Sequence, residues 1–233
     1  TLRGIEQIRN NICYHNANVK ILSVGGGFAY GDLGMTHHAT EDIAMMRALP
    51  NMKVYVPSDE VDAVACFKEA VSFDGPAFIR MARGKEAVFH EQNDIINPSK
   101  LQRYTSVGKD INIITCGTLL GEGKKLQKMF ENKGVSTGVF SVLRVKPLCN
   151  DEIKELALNS KLVITMEEHN VVGGFGGAVA EALSEIEEKH AVLYRAGLQD
   201  TYTSKIGNQD FLRDYYEMNA EKVFAHVMEN YEL

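Results

Sequence analysis

A pair of histidines, His37 and His38, stands at the end of a glycine-rich run that includes Gly25, Gly26, Gly27, Gly31 and Gly34. Imidazole titrates near neutrality, so it can donate to a hydroxyl or carry a proton under ordinary conditions. Two further groups invite a chemical reading. Glu167, Glu168 and His169 form a charged triplet that could pass for a metal or acid/base constellation. Adjacent residues at a strand end point in different directions, however, and the triplet reads as structural. The run Gly173, Gly174, Gly176, Gly177 resembles a dinucleotide loop but lacks the G-x-G-x-x-G spacing.

The elements around the histidines put them at the mouth of an α/β sheet. The apolar run 20–24 reads as a buried strand emptying into a loop that is free to take positive φ angles. Glu41 and Asp42 fall in the first turn of a helix over 39–48, where acidic side chains favour the positive end, and Pro50 and Asn51 stop it. A strand at 53–56 follows, and Pro57-Ser58-Asp59-Glu60 opens a helix over 59–72. Two strand-to-helix turns therefore lie close together, which is where open α/β sheets place ligands. A helix at 3–15 and a strand at 77–81 complete the first half. After a stretch rich in Asn, Pro, Ser and Gly, strands near 111–115, 137–142 and 162–166 alternate with helices near 119–133, 150–158 and 174–189, and an amphipathic helix closes the chain over 219–232. This alternation predicts two consecutive parallel-sheet α/β domains, at 1–93 and 109–233, joined by a linker at 94–108.

The runs EQIRNNICY, Gly34-Met35-Thr36-His37, EDIAMMRALPNMKVYVPSD and GPAFIRMARG occur in the order found in transketolase-like enzymes. The segments 111–117, RVKPL at 144–148 and TMEEHNVVGGFGG at 165–177 continue the match. The chain thus resembles the carboxy-terminal section of the thiamine diphosphate-dependent transketolase family: part of the pyrimidine-binding domain followed by the transketolase C-terminal domain. The resemblance implies transfer of a two-carbon ketol unit from a ketose or ketose phosphate to an aldose. It further implies thiamine diphosphate with Mg2+, held mainly by a pyrophosphate-binding domain on a separate N-terminal subunit, and a homodimeric assembly. The family's pyrimidine-activating glutamate and stacking aromatic have no counterpart here and would lie upstream of Thr1. The first domain is therefore expected to be partial, and this chain inactive by itself.

Carried over residue by residue, the resemblance makes His37 the catalytic imidazole beside the substrate. It makes Arg83 the anchor of an anionic group, and His38 and Asp32 further substrate contacts. Read without the family, His37 and His38 are helix-entry residues, and Arg83 is a strand-end arginine paired with Glu86 or Asp59. Sugar-phosphate transketolases keep an aspartate where this chain has Leu33, beside Asp32, and a histidine where it has Gly25. The pocket is therefore expected to be reshaped. The rivals are a deoxyxylulose-phosphate synthase, the beta subunit of a 2-oxo acid dehydrogenase, and a non-catalytic dimerisation scaffold.

Composition limits these readings without choosing among them. The chain has 233 residues, 45% of them hydrophobic and 24% charged, which is enough for one or two cores. A net charge of −6 argues against a nucleic-acid surface. No apolar run approaches the ~18 residues of a membrane span. Cys13, Cys66, Cys116 and Cys149 are widely spaced, without a Cys-x-x-Cys pair, and read as reduced core thiols of a cytoplasmic protein.

Overall fold

The computed structural model describes residues 2–84, 86–90 and 94–232. Residues 2–13 are helical throughout, with α1 (Ile5–Gln7) between a short 3-10 turn and a π-helical stretch, Ile8–Cys13, that buries Ile8 and Cys13. Strands β1 (Lys20–Val24), β3 (Ala77–Met81) and β2 (Lys53–Tyr55) pair in parallel in that spatial order. Their connections carry α2 (Asp42–Ala48) and α3 (Glu60–Ser72). Asp59 caps α3 by accepting the Asp62 amide, as its position before the apolar-periodic run requires.

A second sheet is centred on β5 (Ile111–Cys116), every residue of which is buried. It takes β6 (Thr137–Val142), β8 (Leu162–Asn170) and β9 (Val192–Leu198) in parallel, and β4 (Gln102–Arg103) antiparallel at its edge, in the order β4-β6-β5-β8-β9. The helices of this half are α4 (Leu120–Glu131), α5 (Asn150–Leu158), α6 (Phe175–Leu183), α7 (Gln209–Tyr215) and α8 (Ala220–Asn230). The near-continuous apolar runs of β5 and β6 follow from burial on both faces of a parallel sheet.

Two parallel α/β sheets are thus present as the alternation predicts, with several corrections. Each sheet carries an antiparallel edge strand. The RVKPL segment supplies β7 (Arg144–Lys146), which pairs antiparallel with β2 in the first sheet. The linker expected at 94–108 contains β4. The helix expected over 174–189 stops at Leu183, ahead of the charged Glu185, Glu187, Glu188 and Lys189, while the strand expected at 162–166 runs on to Asn170. Strand β9 and helix α7 have no counterpart among the elements that periodicity predicts.

The exchanged strand makes the two sheets share a core. Met46, Met52 and Phe78 from the first pack in one cluster with Ile114, Phe140 and Phe175 from the second, each at 0–1% exposure. A second cluster, with Ile111, Leu126, Phe130 and Val223, lies on the opposite face of the second sheet. Truncating Ile114 to alanine should lower stability by about 2–5 kcal/mol, the usual cost of emptying a packed site. Denaturant unfolding followed by far-ultraviolet circular dichroism and by tyrosine fluorescence should still give one coincident transition. Two separated transitions would show that the halves fold as independent units.

Candidate functional site

The loop between β1 and α2 carries the histidines, and three buried contacts fix its course. Arg80, on β3, is 6% exposed and lies beside Asp42, 4% exposed, with Nε donating to both carboxylate oxygens at 3.0 and 2.9 Å. Its Nη2 donates to the carbonyls of Ala39, in the loop, at 2.6 Å and of Glu168, in β8, at 3.0 Å. One guanidinium therefore binds the first sheet, the helix after the loop and the second sheet. Removing one partner of such a buried pair leaves an uncompensated charge, at a cost of about 3–5 kcal/mol.

The Glu167-Glu168-His169 triplet supplies the other two. Glu168 accepts the amide of Phe28, in the loop, at 2.5 Å, Nε2 of Gln209 at 2.8 Å and Nε of Arg213 at 2.6 Å. Its carboxylate leaves no room beside Gly27, where a Cβ would lie 2.5 Å from Oε1. His169 donates from Nδ1 to its neighbour's carbonyl, Asn170 O, at 2.7 Å, and its Nε2 accepts the Ala44 amide of α2 at 3.4 Å. Burial pushes the His169 pKa down to about 4 against the pull of Asp42, in keeping with a neutral ring held this way. Glu167 points elsewhere, receiving the amides of Phe175 and Gly176 at the start of α6.

Outside this frame the loop presents its polar groups. His37 is exposed; Thr36 Oγ1 lies 3.1 Å from its Nδ1, and Nε2 has no hydrogen-bond partner among the described residues. It lines an open cleft of about 360 Å³ with Ser23, Gly25, Tyr30, Thr36 and Glu41. An adjoining cleft of about 310 Å³ holds Arg83, Asp59 and Glu86, and both contain Val24. Tyr30 lines the first of them. Its ring covers Gly25, and the Arg83 guanidinium lies 5.2 Å from its centroid. Arg83 Nη1 is 3.8 Å from Asp32 Oδ1, with both side chains more than half exposed. The lining of the His37 cleft combines imidazole, hydroxyls, the carboxylate of Glu41 and the guanidinium of Arg3, and suits sugar hydroxyls and proton transfer. A single guanidinium, set against the carboxylates of Glu41 and Asp42 in the same lining, fits a diphosphate poorly.

Two domain families match the chain: the transketolase pyrimidine-binding domain over residues 3–87 and the transketolase C-terminal domain over residues 100–223. The chain belongs to the transketolase family. It is 30% identical over 228 residues to a protein of Methanocaldococcus jannaschii that is provisionally named transketolase C-terminal section, covering 97% of this chain and 71% of that one. A subunit of the apulose-4-phosphate transketolase of Phocaeicola vulgatus is 33% identical over 183 residues, which cover 78% of this chain and 59% of that protein. Among solved structures, a split-gene transketolase in the form of an inactive β4 tetramer superposes with a TM-score of 0.85 at 34% identity, over 97% of this chain and 71% of that one.

Within this transketolase-family frame, His37 lines one cleft and Arg83 the adjoining one, and Asp32 lies beside Arg83 without lining either. His38 does not face them freely. It is 6% exposed, its Nε2 donates to Gly31 O at 3.1 Å, its Nδ1 accepts from Thr203 Oγ1 at 2.6 Å, and Phe28 packs edge-on against its ring. Both ring nitrogens are engaged, so His38 pins the loop to the segment before α7. Arg83 pairs with Asp32 rather than with Glu86 or Asp59; Glu86 instead accepts the amides of Arg83 and Gly84. Sequence reasoning misses Tyr30 and Arg80 as members of the site. The signal for Tyr30 is Gly25, a residue with φ of +95° whose missing side chain leaves space for a ring.

Asp59, Asp62 and His90 are the one group among the described residues whose spacing could hold a metal ion. His90 Nε2 is already bonded to Tyr104 OH at 2.7 Å and lies 3.2 Å from Asp62 Oδ1. The cluster reads as a clip that fastens the segment after Arg83 to α3 and to the end of β4. All four cysteines are free, three of them buried and Cys149 half-buried. No helix among the described residues is long and apolar enough to cross a membrane.

His169 makes the frame sensitive to acid. Its pKa is about 4 when folded against an ordinary 6.5, so below pH 6.5 the unfolded chain takes up a proton that the folded chain refuses. The stability that its neutral form contributes is complete above pH 6.5 and declines as pH falls towards 4. Urea midpoints measured from pH 7.5 to 4 should fall less steeply for His169→Gln than for the parent. Parallel curves would show that His169 does not titrate across that range.

Proposed function

We propose that this chain is the C-terminal subunit or section of a two-component transketolase, and that it supplies the sugar-facing wall of a thiamine diphosphate site completed by an N-terminal partner. The observation that carries the reading is the exposed His37 imidazole, with a free Nε2, at the mouth of a cleft whose backbone is locked from below by Arg80 and Glu168. A catalytic proton carrier must be held in place yet reach its substrate, and the loop meets both demands.

The names of relatives support the same division of labour, since one is a subunit of a larger transketolase and another a split-gene protein. The diphosphate and Mg2+ are assigned to the partner, because the His37 cleft sets a single guanidinium, Arg3, against the carboxylates of Glu41 and Asp42. Bound there, the thiazolium supplies the electron sink for breaking the carbon-carbon bond. The residues of this chain orient the sugar and move protons. His37 Nε2 donates to, or withdraws a proton from, a donor hydroxyl near the reacting carbon, while Thr36 steadies the ring through Nδ1. Arg83 holds the far end of a substrate with an anionic terminus. Two copies of this chain are expected in the complete enzyme, in keeping with a symmetric assembly.

Reconstituted with its N-terminal partner, the parent should transfer a two-carbon unit from a ketose phosphate to an aldose. His37→Ala should lower kcat about a hundredfold or more, the usual worth of a positioned acid-base group, with little change in KM. Release of carbon dioxide from a 2-oxo acid instead of ketol transfer would move the assignment to a different member of the cofactor class. Unchanged kcat in the His37 variant would remove the imidazole from the chemistry.

A further inference from the structure

Gly25 follows directly on β1 and takes a φ of +95°, a backbone conformation that side chains with a Cβ rarely adopt. A Cβ at this position would run into the Tyr30 ring, so the ring lies against the main chain of Gly25 in the volume a larger residue would fill. Tyr30 also meets Arg83, whose guanidinium carbon is 5.2 Å from the ring centroid. An aromatic face attracts a guanidinium and leaves the donors along its edge free. The ring also lines the His37 cleft, which shares Val24 with the Arg83 cleft.

Asp32 completes the arrangement. Its Oδ1 sits 3.8 Å from Arg83 Nη1, too far for a hydrogen bond, and the two side chains are 63% and 57% exposed. An exposed pair of this kind contributes at most about 1 kcal/mol. A tetrahedral dianion that accepts two parallel hydrogen bonds from Arg83 would displace a single carboxylate held at that distance. A neutral sugar end would not, and a singly charged end would gain little by the exchange.

We infer that Tyr30, seated in the space left open by Gly25, is a specificity-determining positioning residue which holds Arg83 against its ring, and that Asp32 occupies Arg83 until the dianionic end of a substrate displaces it. The inference rests on the proposed placement of the sugar beside His37 and adds to it the selection of the substrate's far end. Phosphate is the dianion that the site fits best, and a sulfonate, with one charge, is its natural counter-test.

The test is binding of inorganic phosphate to this chain, followed by nuclear magnetic resonance at the Arg83 Nε–Hε group, in the parent and three variants. Asp32→Asn should tighten phosphate binding about threefold to fivefold, the worth of an exposed pair removed from competition. Tyr30→Phe keeps the ring face and should leave binding unchanged. Tyr30→Leu should weaken it by a similar factor, with an unaltered urea midpoint. Methanesulfonate should bind more weakly than phosphate and respond less to Asp32→Asn. Equal phosphate affinity in the parent, Asp32→Asn and Tyr30→Leu would overturn the inference, as would absence of a phosphate-dependent shift at Arg83 in the parent. In the reconstituted enzyme, Tyr30→Leu should raise KM for a phosphorylated donor while leaving kcat near the parent value. Loss of ketol transfer with the phosphate pattern intact would sink the proposed activity alone. Normal ketol transfer with no phosphate pattern would sink the clamp alone.

Discussion

The buried contact between Arg80 and Asp42 is the constraint on which the rest of the molecule depends. A guanidinium with 6% of its surface exposed must be neutralised and must have its donors satisfied, or it would not stay inside. Asp42 supplies the charge, and the carbonyls of Ala39 and Glu168 supply acceptors. These partners come from α2, from the β1–α2 loop and from β8, so satisfying one side chain fixes three segments that are distant in sequence. The pair contributes modestly to net stability, since desolvation offsets most of the attraction. Its larger effect is geometric, because few loop conformations satisfy all of its donors at once.

The same logic extends along β8. Three consecutive residues of one strand point to three destinations: Glu167 to the start of α6, Glu168 to the Phe28 amide and α7, and His169 to α2. Alternation along a strand turns a charged triplet into a set of clamps on separate elements. The site loop is thereby pressed against the second sheet from beneath, while His37, Asp32 and Arg83 face outward. The outward-facing groups and the buried support are different residues, and the support comes from both halves of the chain, Arg80 and Asp42 from the first and Glu168 and His169 from the second.

The fold was legible wherever local pattern and burial agreed. The strands at 77–81 and 137–142 and the helix at 150–158 occupy the residues that periodicity assigns to them. The strand at 20–24 also has the expected bounds, but its apolar run reads as buried and it instead lies at the sheet edge with no buried residue, Leu22 being 47% and Val24 53% exposed. Strand β9 escaped because VLYRAGL is only partly buried and follows the charged run ending at His190, so its alternation is weak. Helix α7 is short, and its one strong signal was Asn208, which caps it by accepting the Phe211 amide. The placement of RVKPL in the first sheet is a long-range pairing that no local pattern encodes. The site divides in the same way. Family motifs locate His37 and Arg83, but residue type alone could not tell that His38 turns inward while its neighbour turns out. The role of Arg80 depends on Asp42 and Glu168, which lie 38 and 88 residues away in sequence.

In the proposed enzyme, this chain contributes the sugar-facing wall of a site whose cofactor is held by another subunit. Titration calorimetry with thiamine diphosphate and Mg2+, performed on this chain alone and on its mixture with a subunit carrying the pyrophosphate-binding domain and the upstream part of the pyrimidine domain, addresses it directly. Saturable heat is expected in the mixture, beyond that given by the second subunit alone, and none with this chain by itself. Tight binding to the isolated chain, or a mixture that binds no better than the second subunit alone, would contradict it.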